Sequence, residues 1–304
     1  MRQHCLTVLG LALAANFFGC TIAPPPHPAG AAPAHPAHTL ERCSQPPIPI
    51  LRKPSPLRWY SAHRGLPTLF PDNSLEGIQA AEFRGFPLVE VDVRPTKDNV
   101  LVLFHDSSVQ VQTLPGLPAS VQYGTKVKEV PFKELKSAHL PGNPDSRVPS
   151  LSEALLLVTE GCSALQLDIK NESPQVVEAV ARAVVHSHAQ AHVLLQFKSI
   201  EAAQVIKDGF PSLAVLIRVR SKEELLQALE LHPEVIELER LAPSKELVSI
   251  AHFTGAKVLY NPLGQSADTP ATGRSLFDAG IDIVLTERPS AAQEGETKYL
   301  DPDP

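Results

Sequence analysis

The sequence lacks several features, and each absence narrows what it can be. It has no apolar run of roughly 20 residues, the length a helix needs to cross a bilayer. It has no excess of positive charge: Lys+Arg 27 against Asp+Glu 33 leaves a formal net charge of −6. That excludes a protein whose main work is coating nucleic acid. No internal repeat stands out, and only four cysteines are spread over 304 residues. What remains is ordinary for a globular chain, with 43% hydrophobic and 20% charged residues. The length allows one large domain or two small ones. Proline is the exception: 30 residues, about twice the average usage of ~5%.

Eleven of those prolines fall between Pro24 and Pro56. The stretch is rich in Pro, Ala and His and has no apolar period, so it reads as an extended spacer over residues 21–56. His27, His35 and His38 are irregularly spaced among prolines, which is linker composition rather than a metal-ligand pattern. Ahead of the spacer, Arg2 precedes an apolar run from Cys5 to Phe18 and then Gly19-Cys20. This run is too short to span a membrane and suits the core of a signal peptide over residues 1–20. Its small-residue-then-cysteine ending resembles the lipobox of bacterial lipoproteins, with Phe17 where Leu is usual. That resemblance implies lipidation of Cys20. It also implies an exported, membrane-anchored protein facing the periplasm or the cell exterior. An ordinary cleaved signal is the alternative.

From residue 57 to 290 the pattern changes. Short apolar, β-branched runs alternate with helical patterns. The runs begin with Trp59–Ala62 and Leu88–Val93, and include Leu165–Ile169, Val193–Gln196, Ala214–Arg218, Val235–Leu238, Val258–Tyr260 and Ile283–Thr286. Ser150 with Glu153, and Ser221 with Glu224, predict capped helix starts. Eight strands alternating with helices over this length predict an α/β fold, a (β/α)8 TIM barrel, with a doubly wound open sheet as the alternative. Residues 291–304 read as a flexible tail.

In a barrel, polar residues near strand C-termini converge on one mouth. The first strand runs into His63-Arg64-Gly65. In the second, Val89, Val91 and Val93 alternate with Glu90, Asp92 and Arg94, which places two carboxylates inside the barrel. Such a pair needs a compensating cation, a metal or an Arg or Lys. Thr96-Lys97-Asp98-Asn99 predicts a turn leading into Val100–Phe104, after which His105-Asp106 aims a second imidazole at the same mouth. Asp168 and Lys170 lie two apart on the next strand. Hard carboxylate oxygens suit Ca²⁺ or Mg²⁺, histidines suit acid–base work, and Arg and Lys suit an anionic phosphate. Glu237 and Glu239 either reach the mouth or make an ordinary loop salt bridge. His186, His188 and His192 read as a solvated helix end. Asn171-Glu172-Ser173 matches a glycosylation triplet that a bacterial lipoprotein gives no meaning.

The ordered set resembles the glycerophosphodiester phosphodiesterases. It comprises Ser61-Ala62-His63-Arg64-Gly65, Pro71-Asp72-Asn73-Ser74, Val89-Glu90-Val91-Asp92-Val93, Val102-Leu103-Phe104-His105-Asp106, Pro149–Leu155, Leu167-Asp168-Ile169-Lys170 and the closing Thr286-Glu287-Arg288-Pro289. The resemblance implies a (β/α)8 barrel that uses a divalent cation to hydrolyse glycerophosphodiesters to an alcohol and glycerol 3-phosphate. Carried over by position, it implies Glu90, Asp92 and Asp168 as metal ligands, His63 and His105 as the acid–base pair, and Arg64 and Lys170 at the phosphate. The sequence departs from the family where it has Asp72 and Ser74, Asp168 in place of Glu, Glu287 in place of Asp, and Asn261-Pro262-Leu263-Gly264 in place of a Trp-containing segment. Implied partners are a glycerophosphodiester or phospholipid substrate and a membrane reached through the lipid anchor, with no nucleic acid. A phospholipase of the sphingomyelinase D or phosphoinositide type, and a catalytically inactive binding lipoprotein, are the other readings. With Cys5 in the signal and Cys20 lipidated, Cys43 and Cys162 remain as an even pair in an oxidising compartment. They are expected to form a disulfide at the barrel floor.

Overall fold

The computed structural model describes residues 45–54, 56–109, 114–263 and 268–291. The signal-peptide reading, Cys20, Cys43, most of the spacer and the tail lie outside the described residues. The strands are β1 (Trp59–Ala62), β2 (Leu88–Pro95), β3 (Leu101–Leu103), β4 (Ala164–Ile169), β5 (Val193–Phe197), β6 (Ala214–Val219), β7 (Val235–Leu238), β8 (Lys257–Tyr260) and β9 (Ile283–Thr286). The helices are α1 (Pro47–Leu51), α2 (Leu75–Phe83), α3 (Phe132–Ser137), α4 (Leu151–Thr159), α5 (Pro174–His186), α6 (Ile200–Gly209), α7 (Lys222–Leu229), α8 (Lys245–Phe253) and α9 (Pro270–Asp278). All strands but β3 run parallel in the order β1-β9-β8-β7-β6-β5-β4-β2, and β1 pairs back to β2, which closes an eight-stranded barrel. Parallel neighbours joined through helices bury both faces of the sheet, so the strands read as continuous apolar runs.

Alternation divides the buried residues into two sets. Odd positions of β2 and β4 (Val89, Val91, Val93, Leu165, Leu167, Ile169) pack outward with helix residues such as Val177, Val180 and Val184 of α5. Even positions point into the barrel. Near the strand N-termini these are apolar: Leu88, Ala164, Leu194, Ala214 and Leu216 share a cluster with Trp59 and Ile283. Towards the C-termini they become polar, and Glu90, Gln166, Asp92 and Asp168 meet in register across β2 and β4.

The floor of the barrel is stopped by α1. Ile48 and Leu51 are fully buried in the same cluster as Leu88 and Leu194. This helix lies inside the proline-rich stretch read as spacer; Pro47 at its first turn carries no penalty there, because that N–H has no helical partner anyway. Asp282 fastens the same end: its carboxylate accepts from the N–H groups of Leu57 and Val258 and is joined by His252 at 2.7 Å. Of the two predicted capping boxes, Ser150–Glu153 is complete. At Ser221 only half forms, since the Glu224 carboxylate takes the N–H of Arg220 instead.

β3 is not a barrel strand. It folds back antiparallel on the C-terminal end of β2, pairing Leu103 with Val93 and Leu101 with Pro95. The turn between them is the predicted one: Asn99 is left-handed (φ 60°) and Val100 N–H donates to Thr96 Oγ1. After β3 the chain makes an excursion before α4, with its own apolar cluster of Val109, Val127, Val130 and Leu135. Among the described residues no helix is long and apolar enough to cross a membrane.

Two outcomes test this end of the molecule. Leu51→Ala should lower the unfolding free energy in urea by about 2–5 kcal/mol, the usual cost of emptying a leucine site in a core; a loss below about 1 kcal/mol would remove α1 from the barrel floor. Cys162 is disulfide-bonded, and its expected partner, Cys43, lies outside the described residues. Non-reducing peptide mapping should find Cys162 linked to Cys43, and recovery of free Cys43 would overturn the pairing.

Candidate active site

Inward-facing polar positions meet at the C-terminal end of the barrel. Glu90 and Asp92 come from β2 and Asp168 from β4. One carboxylate oxygen from each lies within 4.8 Å of the others, and all three residues are buried. Burial disfavours the charged form, and the Asp92 and Asp168 charges add to it, so the Glu90 carboxyl is pushed well above its ordinary range. For Asp92 burial pulls the same way. Lys170, Asn73 and Arg64 outweigh it and hold this carboxyl low.

The cations are placed by the same strands. Lys170 follows β4, and its Nζ lies 2.7 Å from Asp92 and 2.5 Å from Asp168. Their charges outweigh burial and raise the lysine above its ordinary value. Arg218 on β6 approaches Asp168 at 3.7 Å and donates to Glu237 at 2.8 Å. Glu237, Gln196 and Gln166 continue inward to Ser61: Gln196 donates to Glu237 at 3.1 Å, Gln166 to Gln196 at 2.6 Å, and Ser61 to Gln166 at 2.9 Å. Below the acid cluster the barrel is therefore crossed by a hydrogen-bonded polar layer. Of the two glutamates left open by the sequence, Glu237 joins this layer, while Glu239 pairs with Arg220 in an exposed loop.

The loop after β1 is held in an unusual shape. Arg64, Gly65 and Leu66 all have positive φ (46°, 73° and 64°). The left-handed region costs a non-glycine residue roughly 1–2 kcal/mol, so the surroundings must hold these two side chains in place. They do so by close contact. A Cβ on Gly77 of α2 would lie 2.3 Å from the Gly65 carbonyl oxygen, so only glycine lets the helix approach. Asn73, itself at φ 61°, forks onto Asp92: its Oδ1 accepts the Asp92 N–H and its Nδ2 donates to Asp92 Oδ2, both at 2.8 Å. The Arg64 N–H donates to Glu90 and its guanidinium to Asp72 at 2.7 Å.

Two histidines stand at this end of the barrel. His63 puts Nδ1 2.9 Å from Glu287 and Nε2 3.9 Å from Glu90. Burial, and then Arg64, lower its pKa against the opposing pull of Glu287. Glu287 is in turn fixed by Asp268, which accepts from the Glu287 N–H, the Thr286 hydroxyl and Arg288 Nε. His105 follows β3 at the end of the hairpin, just after Phe104, whose N–H donates to the Asp92 carbonyl. Its carbonyl accepts from Arg94 Nε and Nη2, and its Nδ1 lies 2.9 Å from Asp106. Next to the cluster is a cavity of about 640 Å³ whose walls include Arg64, Asn73 and His105.

The catalytic, phosphate and metal residues expected from the sequence stand at this end of the barrel: His63, Arg64, Glu90, Asp92, His105, Asp168 and Lys170; Cys20 lies outside the described residues. Arg218, Glu287 as the partner of His63, and the Gln166–Gln196 layer were not anticipated. A charged residue on the same strand face as Leu216 was the available signal for Arg218.

Residues 63–263 match the model of the glycerophosphoryl diester phosphodiesterase family. The chain belongs to this family. A glycerophosphodiester phosphodiesterase of Bacillus altitudinis is 25% identical over 248 residues, which is 76% of this chain and 95% of that protein. Among solved structures, a glycerophosphoryl diester phosphodiesterase from Parabacteroides distasonis superposes with a TM-score of 0.68 at 23% identity, covering 86% of this chain and 95% of that one. A phosphodiesterase of Oleispira antarctica in complex with the product sn-glycerol-3-phosphate does so at 0.64 and 22% identity, over 78% and 96%. At such identities the structural likeness establishes the shared barrel, while the family rests on the sequence match. Glu287 and Asp268 lie beyond the matched residues.

Asn73→Ala should strip Asp92 of both forked hydrogen bonds and leave its buried N–H unpaired. An unpaired buried donor costs about 1–3 kcal/mol, which urea unfolding would register; an unchanged midpoint would mean that the fork holds nothing in place.

Proposed function

We propose that the protein hydrolyses glycerophosphodiesters to an alcohol and glycerol 3-phosphate with a divalent cation held by Glu90, Asp92 and Asp168. The observation that carries this reading is the buried carboxylate cluster with His63 beside it and His105 on the adjoining hairpin. The residues fit a hard cation: all donors are oxygens, and Asp168 Oδ1 is buried with no hydrogen-bond partner. When bound, the cation would neutralise a non-bridging phosphate oxygen and make phosphorus a better electrophile. The relatives' names and the product held by the Oleispira enzyme support the substrate class.

The remaining steps fall to the chain's own residues. Arg64 and Lys170 meet the phosphate charge. With Nδ1 held by the Glu287 carboxylate, His63 keeps Nε2 free to accept a proton, so it acts as base towards the nucleophile: water, or a neighbouring glycerol hydroxyl whose cyclic phosphate a second attack, by water, then opens to glycerol 3-phosphate. As the new P–O bond forms, the bond to the alcohol breaks. His105, whose Nδ1 faces Asp106, lines the adjacent cavity and gives a proton to the departing oxygen. Glu287 positions His63 without touching substrate. We also retain the reading that Cys20 carries a lipid anchor on an exported protein.

Purified protein assayed on glycerophosphocholine tests this. Turnover should vanish in excess EDTA and return with Mg²⁺ or Ca²⁺. Glu90→Gln, which keeps the side chain's shape, should abolish it while the fold survives. His63→Ala and His105→Ala should each lower turnover by about 10²–10⁴, the usual worth of general acid–base catalysis. Wild-type rates after complete metal removal, or near wild-type turnover in both histidine variants, would refute the reading.

A further inference from the structure

The reaction needs a place for the departing alcohol, and the cavity beside His105 has a definite chemistry. Its reactive end carries Arg64 and His105, while Glu90, Asp92 and Asp168 are not among its walls. A diester with its glycerol phosphate half on the carboxylate cluster would therefore send its other ester past His105 into this space. We propose that this is the leaving-group subsite and that it takes an apolar chain, so the preferred substrates are glycerophosphodiesters whose second ester carries an alkyl or acyl substituent. This rests on the phosphodiesterase reading above.

Three observations select that chemistry. Apolar side chains line both sides, Pro67, Leu69 and Phe70 from the loop after β1, and Phe104, Leu114 and Leu140 from the segment around and after β3, with the uncharged polar Thr68, Asn73 and Asn143 among them. Leu69 is 48% exposed at this wall, and an apolar occupant would cover it. Second, the charges are already engaged. Asp72 is held by Arg64 at 2.7 Å and Asp106 faces His105 at 2.9 Å. Among the described lining residues Arg64 is the sole Lys or Arg. A cationic head group finds no unshared carboxylate, and an anionic one finds no unshared cation. Third, about 640 Å³ falls within the roughly 300–1,000 Å³ of pockets that enclose drug-sized ligands, far more than a two- or three-carbon polar head group fills.

The test compares sn-glycero-3-phospho-n-alkanols from methanol to octanol with glycerophosphocholine, all below their micelle thresholds, following glycerol 3-phosphate release. In the wild-type enzyme kcat/KM should rise about fourfold per added methylene, the value expected for burying a methylene, mainly through KM. Glycerophosphocholine should rank with the short alkanols. Leu69→Ser and Phe70→Ser should cut the rise to under about twofold per methylene, with thermal midpoints showing that each variant folds. A flat wild-type series, or a choline ester preferred tenfold over the octyl ester, would overturn the proposal while leaving the phosphodiesterase reading intact. No hydrolysis of any diester would overturn both.

Discussion

Two aspartates share one lysine ammonium, and the mouth of the barrel is arranged around that contact. Lys170 lies 2.7 Å from Asp92 and 2.5 Å from Asp168, and all three side chains are largely withdrawn from water. An arrangement of this kind is weak evidence for stability, since desolvating the charges offsets much of their attraction. Its consequence is fragility of a particular sort: removing the lysine leaves two buried carboxylates facing each other, with only Arg64, Asn73 and Arg218 to offset them. The neighbours are correspondingly specific. Asp92 is gripped by Asn73, and Asp168 leans on Arg218, which the Glu237–Gln196–Gln166–Ser61 layer holds from below. Inside the barrel, apolar packing belongs to the floor, where Leu51, Leu88 and Leu194 meet.

The site thus rests on two kinds of support. The strands fix which residues point inward through the register of their parallel pairing. The loop after β1 is different, because its shape depends on a left-handed run from Arg64 to Leu66 that the backbone would not choose alone. Gly65 packed on Gly77, and Asn73 on Asp92, stabilise it. Strain of this sort is tolerated where surrounding contacts over-determine the backbone, and here it presents His63 and Arg64 to the carboxylates.

Most of the barrel was legible in the sequence because its strands are short, β-branched and bounded by helical periods. Glu90 and Asp92 were legible because a carboxylate repeated at every second residue of a Val-rich strand has nowhere to go but inward, and Asp168 because it alternates with Leu165, Leu167 and Ile169 on the next barrel strand. The helix α1 was not, since Pro-Ile-Pro-Ile-Leu has no helical period and only the floor of the barrel gives its apolar residues a place to be buried. The segment between β3 and α4 was unread because it packs on irregularly spaced valines and leucines. Asn73 and Glu287 stood inside recognised motifs. Their partners, Asp92 and His63, are set by tertiary contact, which spacing along the chain does not encode. The second capping box looked complete in sequence, yet its glutamate found a nearer donor in Arg220.

The hairpin that carries His105 imposes a different rule on the chain. Because side chains alternate along an extended strand, a register slip of one residue between β2 and β3 would turn every following side chain to the opposite face. The imidazole would then leave the mouth while the barrel stayed intact. Between Asp92 and His105 the protein is thus a ruler of fixed length, clamped at the Asn99 turn and at the Arg94 contact to the His105 carbonyl. Beyond His105 that constraint lapses. The excursion that follows has its own small core, touches the hairpin turn where the Lys97 N–H donates to the Val130 carbonyl and the Phe132 N–H to Asp98, and rejoins the barrel at the capped start of α4. Insertions and deletions there can remodel the cavity wall without disturbing the reacting groups. Substrate range can therefore drift by changes in length in one segment while the chemistry is locked by length in the segment before it.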